Sequence, residues 1–311
     1  MGQIIQGILA ITIIMFVGWL ARRTGAIRTE SSAVLTDVVY WIATPALLFH
    51  TIISSNVRAV IGKPMLVAAG CGVAAALFFV LVSIVFIRPT GSDLAVGAMC
   101  GSLNNAAHVG IPIAVYVLGS AIHGVPVMVF QLGFFTPMFF VLVDFVSSDR
   151  KPTICSVTKT VLTNPMVIAA VLGFACAWWR IRVPTLLIES SEMLGHAAPA
   201  LVLIAFGASM VGKRLRVRSE QGHLIALAVV SKLVVQPLAA FGLGYALDLR
   251  STSLMAVTIM AALPAAQNCF IAAVRARAGV KLAQGAVLIT TIGSLFVCLA
   301  IAYAFHLAGV V

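Results

Sequence analysis

Long apolar runs separated by short basic turns set the pattern of this chain. A helix that crosses a bilayer needs about 20 mainly apolar residues. Runs of that kind predict ten spans, at about 4–20, 32–54, 64–87, 94–118, 125–145, 161–179, 187–211, 223–247, 254–274 and 283–307. Polar side chains are sparse in them and concentrate in the fourth, where Gly101 to Gly119 reads GSLNNAAHVGIPIAVYVLG. Pro112 lacks a backbone donor and crowds the preceding turn, and Gly110 frees that turn, so the spacing predicts a broken helix. Unpaired backbone at that depth is tolerated only where it is buried in protein or lines a cavity, which makes the segment a candidate binding site.

Prolines recur in matching places. Thr44 to Phe49, TPALLF, in the second span corresponds to Ala198 to Leu203, APALVL, in the seventh, and Pro45 predicts a kink near Trp41. The Gly-Ile-Pro of the fourth span corresponds to Ala262 to Asn268, ALPAAQN, in the ninth. Interrupted spans at equivalent places in two halves point to an inverted-repeat transporter. The polar connection SSDRKPTICSVTK divides the halves into 1–150 and 151–311.

Five spans per half force opposite orientations, and loop charges agree. One side collects Arg22, Arg23, Arg28, Arg88, Arg150, Lys151, Lys159, Lys213, Arg214, Arg216, Arg218, Arg275, Arg277 and Lys281. The other collects Arg58, Lys63, Arg180, Arg182 and Arg250, while Lys232 lies inside the eighth span. The positive-inside rule then puts the first side in the cytoplasm and both termini outside it. The expected fold class is an all-α membrane protein of ten transmembrane helices, two inverted five-helix repeats with helices 4 and 9 broken.

Composition sharpens this. With 61% hydrophobic residues, 9% charged residues and a mean hydropathy of +1.11, the chain cannot build a soluble surface. The net charge of +11 sits in loop clusters between apolar runs, a topology signal and not a nucleic-acid surface. Cys71, Cys100, Cys155, Cys176, Cys269 and Cys298 lie in or beside apolar runs without metal-ligand spacing. No Ser/His/Asp or paired-carboxylate constellation is visible, so an enzyme is disfavoured and no cofactor or metal is called for. The first apolar core has no basic residue before it and Arg22 and Arg23 after it, the mark of a retained helix and not a cleaved signal.

Several of these pieces together resemble the auxin efflux carrier family of secondary transporters, whose bacterial members include malonate-type carriers and whose fold is shared with the bile acid/sodium symporters. They are Asn105 with Gly110, Ile111, Pro112 and Gly119; Pro45; Asn164, Pro165 and Gly173; Ala198, Pro199 and Gly207; Lys232 with Pro237; and Leu263, Pro264, Asn268, Phe270 and Ala273. The resemblance implies that spans four and nine cross near the midplane. It also implies that spans one, two, six and seven form a scaffold against which spans three to five and eight to ten move. His108 and the Arg275 to Arg277 segment depart from the family pattern, and the ninth span has Gln267 where sodium-coupled relatives carry an acid.

The candidate substrate-binding residues are Asn104, Asn105, His108, Gly110, Pro112, Pro264, Gln267 and Asn268. An amide offers donors and an acceptor without the cost of burying a charge. Half-helix N-termini add free N–H groups and about half a positive charge each, which suits a carboxylate. His108 titrates near neutrality and is a candidate carrier of a coupling proton. Lys232 lies deep for snorkelling and is a candidate coupling residue or counter-charge; in a purely structural role it would pair with a helix-end carbonyl or a carboxylate such as Asp144. Glu189, Glu192 and Asp37 read as solvated or helix-end charges, and His50, His196 and His306 show no constellation.

The expected function is a secondary transporter of small organic anions, mono- or dicarboxylates, malonate-like or auxin-like, proton-coupled or uncoupled, in the cell inner membrane. An anion channel or a membrane-embedded sensor on the same fold is the alternative of another class, and a sodium-coupled symporter is a third reading. The expected partners are the anion and the lipid bilayer, with a homodimer left open.

Overall fold

Backbone groups in lipid must satisfy one another, so apolar runs of this length become helices. The computed structural model describes residues 2–54, 62–110, 113–114, 117–119, 123–147, 162–163, 165–212 and 221–309. Pro112, Asn164, the polar connection at 148–161 and the basic loop at 213–220 lie outside the described residues. The helices are α1 (Gly2–Arg23), α2 (Thr29–Val38), α3 (Thr44–Ser54), α4 (Lys63–Phe86), α5 (Gly91–Ser102), α6 (Val125–Phe130) and α7 (Thr136–Ser147). They continue with α8 (Pro165–Trp178), α9 (Thr185–Ser209), α10 (Gly222–Val230), α11 (Gln236–Ala246), α12 (Ser251–Ala261), α13 (Gln267–Arg275) and α14 (Val280–Leu307). The described residues are thus all-helical, apart from one isolated antiparallel bridge between Asn104 and Ala265. Among the described residues five helical stretches are long and apolar enough to cross a bilayer singly: Lys63–Phe86, Val125–Ser147, Thr185–Ala205, Gly222–Ala246 and Val280–Leu307.

Among the described residues four five-residue π-helical segments interrupt this pattern: π1 (Val39–Ala43), π2 (Ala106–Gly110), π3 (Gln131–Phe135) and π4 (Ser231–Val235). Each ends two residues before a proline, namely Pro45, Pro112, Pro137 and Pro237. A proline has no N–H to donate and its ring collides with the carbonyl four residues back. For Pro45, Pro137 and Pro237, the described ones, that carbonyl belongs to Trp41, Gly133 and Leu233, each inside the π segment. The chain relieves the collision by widening one turn. Thr44, Gly110, Thr136 and Gln236 therefore donate to carbonyls five residues back, at Val39, Asn105, Gln131 and Ser231. The kink expected near Trp41 takes this form. Pro199 behaves differently from its sequence counterpart Pro45, because α9 runs through it as one helix.

The fourth span breaks earlier than the Gly-Ile-Pro step suggests. Helix α5 ends at Ser102, Leu103 to Asn105 are extended, and π2 follows, so the amides are the break and do not merely lie near it. The ninth span breaks where expected, at Ala262 to Ala266 around Pro264.

Packing divides the helices. Helix α1 lies along α9, and α3 sits against α8 and α9. Helix α4 packs on α5 and α11, α11 on α12, and α14 on α10, α5 and α13. The α1–α9 contact is backbone on backbone. A Cβ at Gly207 would collide with the Met15 carbonyl, and one at Gly18 with the Ile204 carbonyl. Small residues allow such approach in membranes, where van der Waals contact drives association. Gly207→Val is expected to cost about 1–3 kcal/mol by overpacking. Thermal unfolding of the purified variant in detergent checks this, with an unchanged midpoint as the contrary result.

Candidate functional site at the helix crossing

The two broken spans meet through their extended segments. Asn105 N–H donates to Pro264 O at 2.8 Å and Ala266 N–H to Leu103 O at 3.0 Å, a two-bond antiparallel pairing centred on Asn104 and Ala265. This answers the demand that backbone in mid-membrane be satisfied, since each break supplies what the other lacks. Side chains brace the remaining groups. Asn104 N–H donates to Gln131 Oε1 at 2.7 Å, and Ala265 N–H to Thr290 Oγ1 at 3.1 Å. Gly110 lies against the other broken span, where a Cβ would come 2.9 Å from Leu263 Cδ1 and 3.0 Å from Met260 Cε.

The C-terminal ends of the two leading half-helices are tied together. Lys232 Nζ donates to Ala261 O, the end of α12, at 2.8 Å, and to Gln236 Oε1 at 2.7 Å. Gln236 Nε2 donates to Ser102 O, the end of α5, at 2.9 Å. Of the two partners expected for Lys232, the helix-end carbonyl is the one it meets. Its residue is 0% exposed, and it is the one charged side chain among the buried described residues. Half-helix C-termini carry about half a negative charge each, which explains why an ammonium is held there.

Asn104, Asn105, Gln267 and Asn268 are 4%, 3%, 5% and 7% exposed, so all four amides are buried at or beside the crossing. Gln267 and Asn268 open α13, whose N-cap, Ala266, has no side chain able to cap it. Asn104 Oδ1 and Gln131 Nε2 are buried without a hydrogen-bond partner, an acceptor and a donor left open at the same place. The backbone of His108 belongs to π2, and its side chain lies outside the described residues, as does Pro112.

A cavity of about 410 Å³ borders the crossing, with walls that include Met15, Phe16 and Trp19 of α1, Val109, Pro264 and Leu288. Of the described candidates Pro264 alone lines it, so the amides stand behind the cavity wall. Gln131, Gln236 and Thr290, which hold the breaks in place, are residues that sequence reasoning missed. The available signal was an amide six residues or one residue before a proline inside an apolar span. Arg275, at the end of α13, donates to Tyr40 Oη at 2.7 Å and stacks over Tyr40 and Phe140. His50 and His196 lie with ring centroids 6.4 Å apart, and no third metal-ligating group joins them among the described residues.

Two breaks paired at a crossing, on a chain of apolar helices, are matched by a family pattern described as membrane transport protein over residues 3–302. The chain belongs to the auxin efflux carrier family of membrane transport proteins. Among relatives in this family, an uncharacterized transporter of Methanocaldococcus jannaschii is 22% identical over 93% of this chain and 95% of its own length. A protein of Rhizobium meliloti named "Putative malonate transporter" is 24% identical over 90% of this chain and 88% of its own. An uncharacterized transporter of Methanothermobacter thermautotrophicus is 24% identical over 93% and 94%. The auxin efflux carrier assignment makes this chain a multi-pass membrane protein of a transporter family.

Proposed function

We propose that the protein is a secondary transporter of small organic anions that works by alternating access at the helix crossing. The observation that carries this reading is the charge balance there. The Lys232 ammonium and the two helix C-termini offset one another, and no buried carboxylate lies among the described residues, so the α13 N-terminus leaves net positive potential at Gln267 and Asn268. A site with that balance is completed by an anion. Asn105 and Asn268 are the residues assigned to hold the carboxylate, supported by Asn104, Gln267 and the backbone around Gly110, Pro112 and Pro264. Gln131 Nε2 supplies an open donor beside them.

The apolar walls of the neighbouring cavity favour a carboxylate with an apolar body over doubly charged malonate, the substrate in the name of the Rhizobium relative. In this reading the ten spans form inverted repeats, 1–150 and 151–311. Spans one, two, six and seven are the scaffold, and both termini face outward from the inner membrane. Coupling is to protons or absent, with His108 the residue type of the fourth span whose ordinary titration falls near neutrality.

The test is a thermal-shift screen of purified protein against small carboxylates, followed by uptake of the stabilising one into proteoliposomes. A ligand at 100 times its Kd stabilises by about 2.7 kcal/mol. Saturable uptake with trans-stimulation is expected, and its pH dependence should vanish in His108→Gln. Single-channel currents would replace the carrier with a channel, and no stabilising carboxylate would defeat the anion reading.

A further inference from the structure

We propose that the Lys232 ammonium is a resident cation, filling a monovalent-cation site between the ends of α5 and α12, so that transport neither needs nor carries sodium. The proposal deepens the reading of this site as the crossing of an anion carrier. Two helix C-termini converge on one point: Ala261 O receives the ammonium directly at 2.8 Å, and Ser102 O receives Gln236 Nε2 at 2.9 Å. Their combined negative potential amounts to about one elementary charge and lies among groups closed to solvent. Among the buried described residues Lys232 is the one cation that offsets it, with Gln236 Oε1 at 2.7 Å as its second oxygen.

The position of Lys232 is fixed from three sides. It belongs to π4, whose widened turn is imposed by Pro237. Ser231 beside it donates Oγ to Ala75 O of α4 at 2.7 Å, pinning π4 to that helix. Cys298 Sγ of α14 approaches Ala262 O and Ile259 O at 3.8 and 4.0 Å, closing the other side of the α12 end. The cation is therefore covalently held, which has two consequences. It cannot leave with the substrate, so it drives no uptake. It also occupies the oxygens, Ala261 O and Gln236 Oε1, that a free sodium, potassium or small alkylammonium ion would otherwise find.

Removing the side chain should expose that latent site. Purified Lys232→Ala is expected to unfold at lower temperature in choline chloride than the wild type, with the midpoint restored saturably by sodium, potassium or methylammonium. The wild-type midpoint should be flat across the same series. Uptake by Lys232→Ala should fall about tenfold or more in choline, the scale of one lost hydrogen bond to a charged group, and recover with the same ions. Lys232→Gln retains the length and a donor, and so folds even if the Ala variant does not. It should lose uptake without ion rescue, because the amide fills the site without charge.

Sodium-dependent wild-type uptake would overturn the proposal. So would an Ala variant whose stability and uptake ignore all three ions, or full uptake by Lys232→Gln in choline. The stability measurement uses no substrate, so its outcome stands apart from whether the carboxylate reading survives.

Discussion

Uptake of the stabilising carboxylate should fall by one to two orders of magnitude in Asn268→Ala and Asn105→Ala, with thermal midpoints close to that of the parent protein. A hydrogen bond to a charged group is worth about 1.5–3 kcal/mol, or on the order of 10- to 150-fold in affinity. Asn268 stands in the first turn of α13, beside the free N–H groups of the helix start. Alanine keeps the helix and removes the donor, so the loss should appear in Kd, read by isothermal titration, as well as in transport. The backbone pairing of Asn105 with Pro264 does not depend on its side chain, and the crossing should therefore survive. Normal uptake by both variants would remove the amides from the site.

The second large effect concerns stability. Gln236→Leu takes away the acceptor of Lys232 and the donor to Ser102 O in one step, leaving a buried ammonium half-satisfied and a buried carbonyl bare. Breaking a buried charged contact on one side costs about 3–5 kcal/mol. The expected result is a drop in the thermal midpoint larger than that of Gly207→Val, with reduced yield of folded protein. Gln236→Glu separates the two jobs of the residue. It keeps an acceptor for Lys232 but adds a negative charge beside the crossing and abandons Ser102, so anion affinity should fall more than stability does. Midpoints unchanged in Gln236→Leu would show that the tie between the two helix ends contributes little.

Much of this was readable in the sequence, because hydropathy and proline position are strong signals in a bilayer. The ninth-span break at Pro264 follows from the missing donor alone, and the burial of Asn105 and Asn268 follows from amides placed in apolar runs. The fourth-span break lies before π2, at Leu103–Asn105, and not at the Gly-Ile-Pro step. That interruption is a tertiary event: its hydrogen bonds lie across the crossing, on Pro264 and Ala266, and no local propensity announces them. Gln131, Gln236 and Thr290 escaped notice for the same reason. A neutral side chain in a span costs less than a charge and stands out less, and its partners are 27, 134 and 25 residues away. Lys232 stood out because it is charged, but only the structure could choose a carbonyl over Asp144 as its partner.

Each π segment stores one residue more than an α-helical turn would use. An α-helix advances about 100° per residue, so everything beyond such a segment is phase-shifted by roughly a quarter-turn or more relative to a wheel drawn through the span. A wheel drawn unbroken from Val125 to Ser147 would misalign Gln131 with the residues of α7, and one from Gly222 to Ala246 would misplace Lys232 against α11. In the spans that hold π1, π3 and π4 the protein therefore keeps two angular frames, joined at a proline. Removing a single residue from π4 would leave the helix long enough to cross the bilayer and swing Lys232 off the helix ends.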